Sequence, residues 1–159
     1  MSKITYIKGD LLETDAPVIA HGCNCQGVMG SGVALQIKEK YPEVYNYYKG
    51  IHERRGLELG EVQFVEHLNG KTVVNAMTQK YYGRDRTTVY VDYRAIRTCM
   101  KRIANYNYDA TIGHRSVGDM RIAMPKIGSD RGGGDWGIIE SIIEEELCDK
   151  GFGVYVYYL

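Results

Sequence analysis

A chain of 159 residues is expected to form a single domain over residues 1–159, and its 44% hydrophobic and 25% charged content is that of an ordinary globular protein. Lys+Arg and Asp+Glu both number 20, which removes the net positive field of a general nucleic-acid or membrane-surface binder. No apolar run reaches the roughly 18 residues of a membrane span, and the N-terminal MSKITYIKGD is too polar for a secretory signal, so a cytoplasmic location is expected.

The elements follow in chain order. ITYIKG (4–9) has the β-branched and aromatic content of a strand, and Pro17 introduces a second one, VIAHGCN. GVALQIKEKY (32–41) carries Val33, Ile37 and Tyr41 on one helical face. Pro42 stops that helix and starts the next, PEVYNYYKGIHERRG, whose tyrosines are expected to pack inward. EVQFVEHL and KTVVNAMTQ, joined through Asn69-Gly70, read as a hairpin. After the polar loop YYGRDRTTVY comes an amphipathic helix over 91–106, with Ile96, Cys99, Met100 and Ile103 inward. Residues 107–119 read as an irregular excursion and RIAMPKIG as a strand. DWGIIESIIEEELCDKG is a helix with Asp135 at its N-cap and Ile138, Ile142 and Ile143 as its stripe. GVYVYYL is the last strand. This alternation predicts an α/β fold with a mixed, mostly parallel central sheet and helices on both faces.

In such sheets ligands bind beyond the carboxyl ends of the strands. Three glycine-rich or acidic stretches fall there: KGDL (8–11), HGCNCQGVMGSG (21–32) and PKIGSDRGGGDW (125–136). Glycine loops entering helices suit phosphates, because free N–H groups and the helix dipole both favour anions. A zinc site on His21, Cys23 and Cys25 lacks a paired partner set, since Cys99 and Cys148 fall on separate helices. The C-x-C spacing is a poor redox motif, so the cysteines are read as reduced packing residues. A Walker A loop and a G-x-S-x-G elbow are both missing, and the glycines at 27, 30 and 32 run in the reverse of a dinucleotide fingerprint.

Together these stretches resemble the macrodomain family. KGDL is similar to its G-D-[IL] strand end, HGCNCQGVMGSGVA to its N-A-A-N…G-G-G-V-A loop, and MPKIGSDRGGGDW to its P-x-I-G-x-G-x-x-G loop. The resemblance runs nearly end to end. It implies a three-layer α/β/α fold and a small-molecule ligand, ADP-ribose or a derivative, held without a metal or other cofactor. A monomer is expected, and the zero net charge and the lack of a long apolar run lead to the expectation of no stable nucleic-acid partner and no membrane. Carried onto this chain, Gly9, Asp10 and Leu11 would lie at the adenine. Gly22, Cys23 and Asn24, with Met29, Gly30, Ser31, Gly32, Val33 and Ala34, would surround the distal ribose and its substituent. Ile127, Gly128, Ser129, Asp130, Arg131 and Gly132 would wrap the diphosphate.

Within the family, His21 in place of asparagine and the phrase IAHGCNCQGVMGSGVALQI look most like the ADP-ribose-1''-phosphate phosphatases of yeast and phage type. The terminal ADP-ribose protein glycohydrolases are a more distant likeness. The position of the glycohydrolase-type lysine falls on Gln79, with Lys80 adjacent, which favours phosphomonoester hydrolysis. His21, with an ordinary pKa near neutrality, is the first candidate for general acid or base; the alternative is a buried, hydrogen-bonded strand histidine. Asn24 would donate to the distal ribose or phosphate. Asp92 or Asp85 would position water, and the plain role for Asp92 is a helix cap. His114 could fold over the pocket or remain a surface loop residue. Two other readings stay open: an ADP-ribosyl hydrolase acting on modified protein or nucleic acid, and a non-catalytic ADP-ribose reader.

Overall fold

The computed structural model describes residues 3–85, 87–106, 108–109, 114–115, 120–129 and 132–159, with the backbone alone at 108–109 and 114–115. Asp130 and Arg131, two of the expected ligand residues, lie outside the described residues, as does the side chain of His114.

The strands are β1 (Thr5–Lys8), β2 (Val18–Asn24), β3 (Val62–Glu66), β4 (Thr72–Gln79), the short pair β5 (Tyr108–Asp109) and β6 (His114–Arg115), β7 (Arg121–Met124) and β8 (Gly153–Tyr158). The helices are α1 (Gly32–Lys40), α2 (Pro42–Arg55), α3 (Tyr93–Asn105) and α4 (Trp136–Glu146). Six strands form one sheet in the order β1-β8-β7-β2-β4-β3. All neighbours are parallel except the β3–β4 hairpin, which is antiparallel. Residues Val73 to Thr78 of β4 are buried without interruption, as expected for a strand covered on both faces. The hairpin closes through His67–Lys71 and Gly70–His67 backbone bonds, with Gly70 at φ 89°.

The helices cover the two faces separately. Ile37, Tyr41 and Val44 of α1 and α2 pack on Leu11, Ile19 and Val73, with Tyr48 against Cys23 and Met77 alongside. On the other face Ile96, Met100 and Ile103 of α3 meet Ile139, Ile142 and Ile143 of α4 over Ala20, Val74 and Ile122. Each such side chain, fully buried, contributes about 1.5–3 kcal/mol.

Four expectations change. Helix α3 begins at Tyr93 rather than 91, because Val91 makes a bridge to Gln79 and Asp92 caps the helix through Ala95 N at 2.9 Å. The stripe of α4 is Ile139, Ile142 and Ile143, while Ile138 is exposed; starting the helix at Trp136 turns position 138 to solvent. Of the α2 tyrosines Tyr48 is buried and Tyr47 exposed. Within the excursion over 107–119, β5 and β6 pair as a short antiparallel ribbon.

Candidate functional site

Parallel pairing brings the carboxyl ends of β2, β4, β7 and β8 to one edge, and the loops leaving them enclose a cleft. It has two adjoining parts. The wide cavity, about 530 Å³, is lined by His21, Gly22, Thr78, residues 31–34, Pro125 to Ser129, Gly132 and the chain's last residues Tyr157, Tyr158 and Leu159. The narrow cavity, about 310 Å³, is lined by Gly22, Cys23, Asn24, Val28, Gly30, Ser31, Ala34, Gln79, Tyr82, Gly83 and Arg84. Gly22, Ser31, Ala34 and Gln79 line both. A more open groove of about 800 Å³ between α3 and α4 contains none of the expected ligand residues.

Both expected glycine loops therefore reach one cleft. Gly128 holds φ 77°, and a Cβ there would lie 2.7 Å from Val91 Cγ2 and 3.2 Å from Ile139 Cδ1, so only glycine lets this turn seat on the core. The turn is closed by Gly134 N donating to Gly128 O at 2.8 Å, and docked by Tyr90 N and Val91 N donating to Gly132 O. Ser31 is the N-cap of α1, yet its hydroxyl makes no capping bond, whereas Asp92 and Asp135 cap α3 and α4. The first-turn N–H groups of α1, which no intrahelical carbonyl can serve, thus open toward the cleft that Ser31 to Ala34 line. Thr78 Oγ1, buried in the floor beneath Gly22, has no hydrogen-bond partner among the described residues.

His21 points between the sheet and α2. It is buried, its Nε2–H donates to Asn75 Oδ1 at 2.6 Å, and Asn75 Nδ2 donates on to Gln63 Oε1 at 3.1 Å. Burial lowers its pKa from 6.5 to about 4, so the ring is neutral at pH 7. Nδ1 is then the acceptor nitrogen, 3.8 Å from Cys23 Sγ. Asn24 is committed to its own loop: Oδ1 accepts from Gln26 N and Val28 N, Nδ2 donates to Val28 O, and the Tyr48 hydroxyl donates to the Asn24 carbonyl at 2.6 Å.

The aspartates expected to act do not line the cleft. Asp92 caps α3. Asp85 is exposed and folds its carboxylate back onto Thr87 N and Oγ1, and the Thr87 hydrogen bonds hold its pKa below the ordinary value. Asp10 accepts from Leu12 N through one carboxylate oxygen, and Leu11 is buried in the core. Met29 too is a core residue, packed with Cys23 and Tyr48. Burial pushes the Cys25 thiol up to about 11 and raises the Cys23 thiol well above its ordinary value, and all four cysteines are free. Among the described residues no group of three His, Cys, Asp or Glu is placed to hold a metal ion. No helix among them is long and apolar enough to cross a membrane.

Reading the sequence left out Tyr82 and Arg84 of the polar loop, and Lys126, Tyr157 and Tyr158 at the far end. Tyr82-Gly83-Arg84 follows the carboxyl end of β4 after Lys80 and Tyr81, and that position was the available signal.

The Macro domain family model matches residues 20–143, which include both glycine loops and three of the four cleft strands. The chain belongs to the macrodomain family. A protein of unknown function from Bacteroides thetaiotaomicron shares this macrodomain's structure with a TM-score of 0.82 at 34% identity, over 98% of both chains. The "ADP-ribose 1''-phosphate phosphatase" of Saccharomyces cerevisiae is 27% identical over 175 residues, covering 98% of this chain and 99% of that one. The "DNA ADP-ribosyl glycohydrolase" of Mycobacterium tuberculosis is 32% identical over 140 residues, covering 86% of this chain. The macrodomain spans only about a third (36%) of that relative's length.

Proposed function

We propose that this macrodomain hydrolyses ADP-ribose 1''-phosphate to ADP-ribose and inorganic phosphate. The observation that carries the reading is the bipartite cleft, whose wide part accommodates a nucleoside diphosphate and whose narrow part accommodates a substituted ribose. The yeast relative bearing that activity's name is matched along nearly its whole length.

Water adds at phosphorus, the bond from phosphorus to the anomeric oxygen breaks, and that oxygen leaves as the ADP-ribose hydroxyl after taking a proton. The strand-end glycines and the first turn of α1 stabilise the anionic groups. His21, buried and neutral with its Nε2–H engaged by Asn75, acts by fixing the carboxyl end of β2 beneath the phosphate rather than as an imidazolium acid. Asn24 holds the loop against the ribose. Asp92 and Asp85 are assigned supporting roles, the first fixing α3 and the second fixing its loop.

The test is phosphate release from ADP-ribose 1''-phosphate without added metal, for the wild type, His21→Ala and Asp92→Asn. The wild type is expected to release phosphate, Asp92→Asn to retain most activity because Asn also caps helices, and His21→Ala to lose most of it. No release by the wild type sinks the phosphatase reading. Full activity in His21→Ala sinks the role given to His21, and loss in a stably folded Asp92→Asn assigns an acid–base role to that carboxylate.

A second reading, removal of ADP-ribose from a modified macromolecule, is favoured by one observation: Tyr81 and Tyr82 are exposed beside the narrow cavity, where a base linked to the ribose would stack. Release of free ADP-ribose from modified single-stranded DNA or protein, with no release of phosphate from the ester, would select it.

A further inference from the structure

The sheet order gives the cleft a direction. The β1–β8 side, where Gly9 N bonds Tyr158 O, holds the wide cavity, and the β2–β4 side holds the narrow one. With the ligand of the proposed function bound, on which this inference rests, the ribose substituent lies in the narrow cavity.

One cation lines that cavity among the described residues, Arg84, and no carboxylate does. Arg84 forms no ion pair with any described residue, because its neighbour Asp85 is turned onto Thr87. Its backbone is fixed on both sides. Tyr82 N donates to Gln26 Oε1 at 2.9 Å, which ties the loop to the β2–α1 connection, and Asp85 N donates to the Tyr90 hydroxyl at 3.1 Å. Gly83 makes the second tie possible, since a Cβ there would overlap the Tyr90 hydroxyl. Of the other polar groups nearby, Gln79 Nε2 donates to Tyr81 O, and Lys80 lies over the Tyr81 ring at 5.5 Å and does not line the cavity. Arg84 is thus an exposed, unpaired arginine on a fixed stretch of backbone at the rim of a cavity that no described carboxylate lines, and its guanidinium matches a phosphate dianion, which it would bind with two parallel N–H bonds.

We propose that Arg84 is the residue that makes this cleft prefer a ribose carrying a terminal phosphate monoester over unsubstituted ADP-ribose. A lysine would supply charge without the paired donors.

The test compares wild type, Arg84→Lys and Arg84→Ala by calorimetry with ADP-ribose and by kcat/KM, or Kd where turnover is absent, with ADP-ribose 1''-phosphate. Thermal melting of each variant checks that it is folded. The expected result is an ADP-ribose Kd unchanged within about twofold, with preference for the ester reduced roughly 10- to 100-fold in Arg84→Ala and partly kept in Arg84→Lys. Equal weakening of both ligands by Arg84→Ala, or no preference for the ester in the wild type, overturns the assignment while leaving ADP-ribose binding intact. Failure of the wild type to bind either nucleotide overturns the ligand reading and this assignment with it.

Discussion

Imidazole nitrogen is seldom placed so that it neither charges at neutral pH nor reaches water, and His21 is in that position. Its pKa falls from 6.5 in the unfolded chain to about 4 in the folded one, through burial, against a smaller opposing effect of the Asn75 hydrogen bond. Below pH 6.5 the unfolded chain therefore binds a proton that the folded chain refuses, so stability falls as pH falls from 6.5 toward 4. The loss amounts to about 3 kcal/mol across that window. Urea denaturation at several pH values is expected to show it in the wild type and to show a flatter profile in His21→Gln. Identical profiles would mean that some other group carries the pH dependence. At this scale the sequence was legible as chemistry but not as direction. A strand histidine two residues from a cysteine shares a face with it, and Cys23 Sγ does lie 3.6 Å from His21 Nε2. Which face that is depends on α2 arriving with Val44 and Tyr48, which no local pattern announces.

Helices and loops set the shape of the narrow cavity, and Tyr48 joins the two. From the buried side of α2 its hydroxyl donates to the carbonyl of Asn24 and sits 2.9 Å from the Asn24 amide oxygen, so one helix residue clamps the turn that begins the glycine loop. Tyr48→Phe keeps the packing and removes the clamp. The expected outcome is a loss of about 1–2 kcal/mol in chemical denaturation, together with a several-fold weaker ADP-ribose Kd by calorimetry. An unchanged Kd would mean the loop holds its shape without the helix. Elements with strong local signals were readable from the sequence: the Asn69-Gly70 hairpin, the Pro42 break between α1 and α2, and the Asp92 and Asp135 caps. The error on α4 came from phase, since Ile138 and Ile139 both fit an apolar run and only the helix start decides between them. Arg84 was missed for a different reason. Its place depends on hydrogen bonds that the loop N–H groups donate to Gln26 and Tyr90, residues distant in sequence or hidden in a loop, and polarity alone marks such a segment as surface.

For the molecule as a whole, a specific ligand of the native cleft must raise global stability by mass action. ADP-ribose at a hundred times its Kd is expected to add about 2.7 kcal/mol, a rise of roughly 5–10 °C in Tm for a chain of this size. A melting curve unmoved by saturating ADP-ribose would count against the family's ligand being this chain's ligand. The three motif stretches identified the fold from sequence because their glycines answer to one shared geometry, the parallel strand ends, and not to separate local rules. That geometry has one more consequence. The walls of the narrow cavity are stitched to each other, by Cys25 N to the Lys80 carbonyl at 3.1 Å and by Tyr82 N to Gln26, while a wall of the wide cavity is stitched to residues 90 and 91 through Gly132. Neither wall can swing without breaking a bond to its neighbour. The cleft therefore has a working width before anything enters it, little ordering entropy is lost on association, and an oversized substituent is turned away by a fixed aperture instead of being tested by a closing lid.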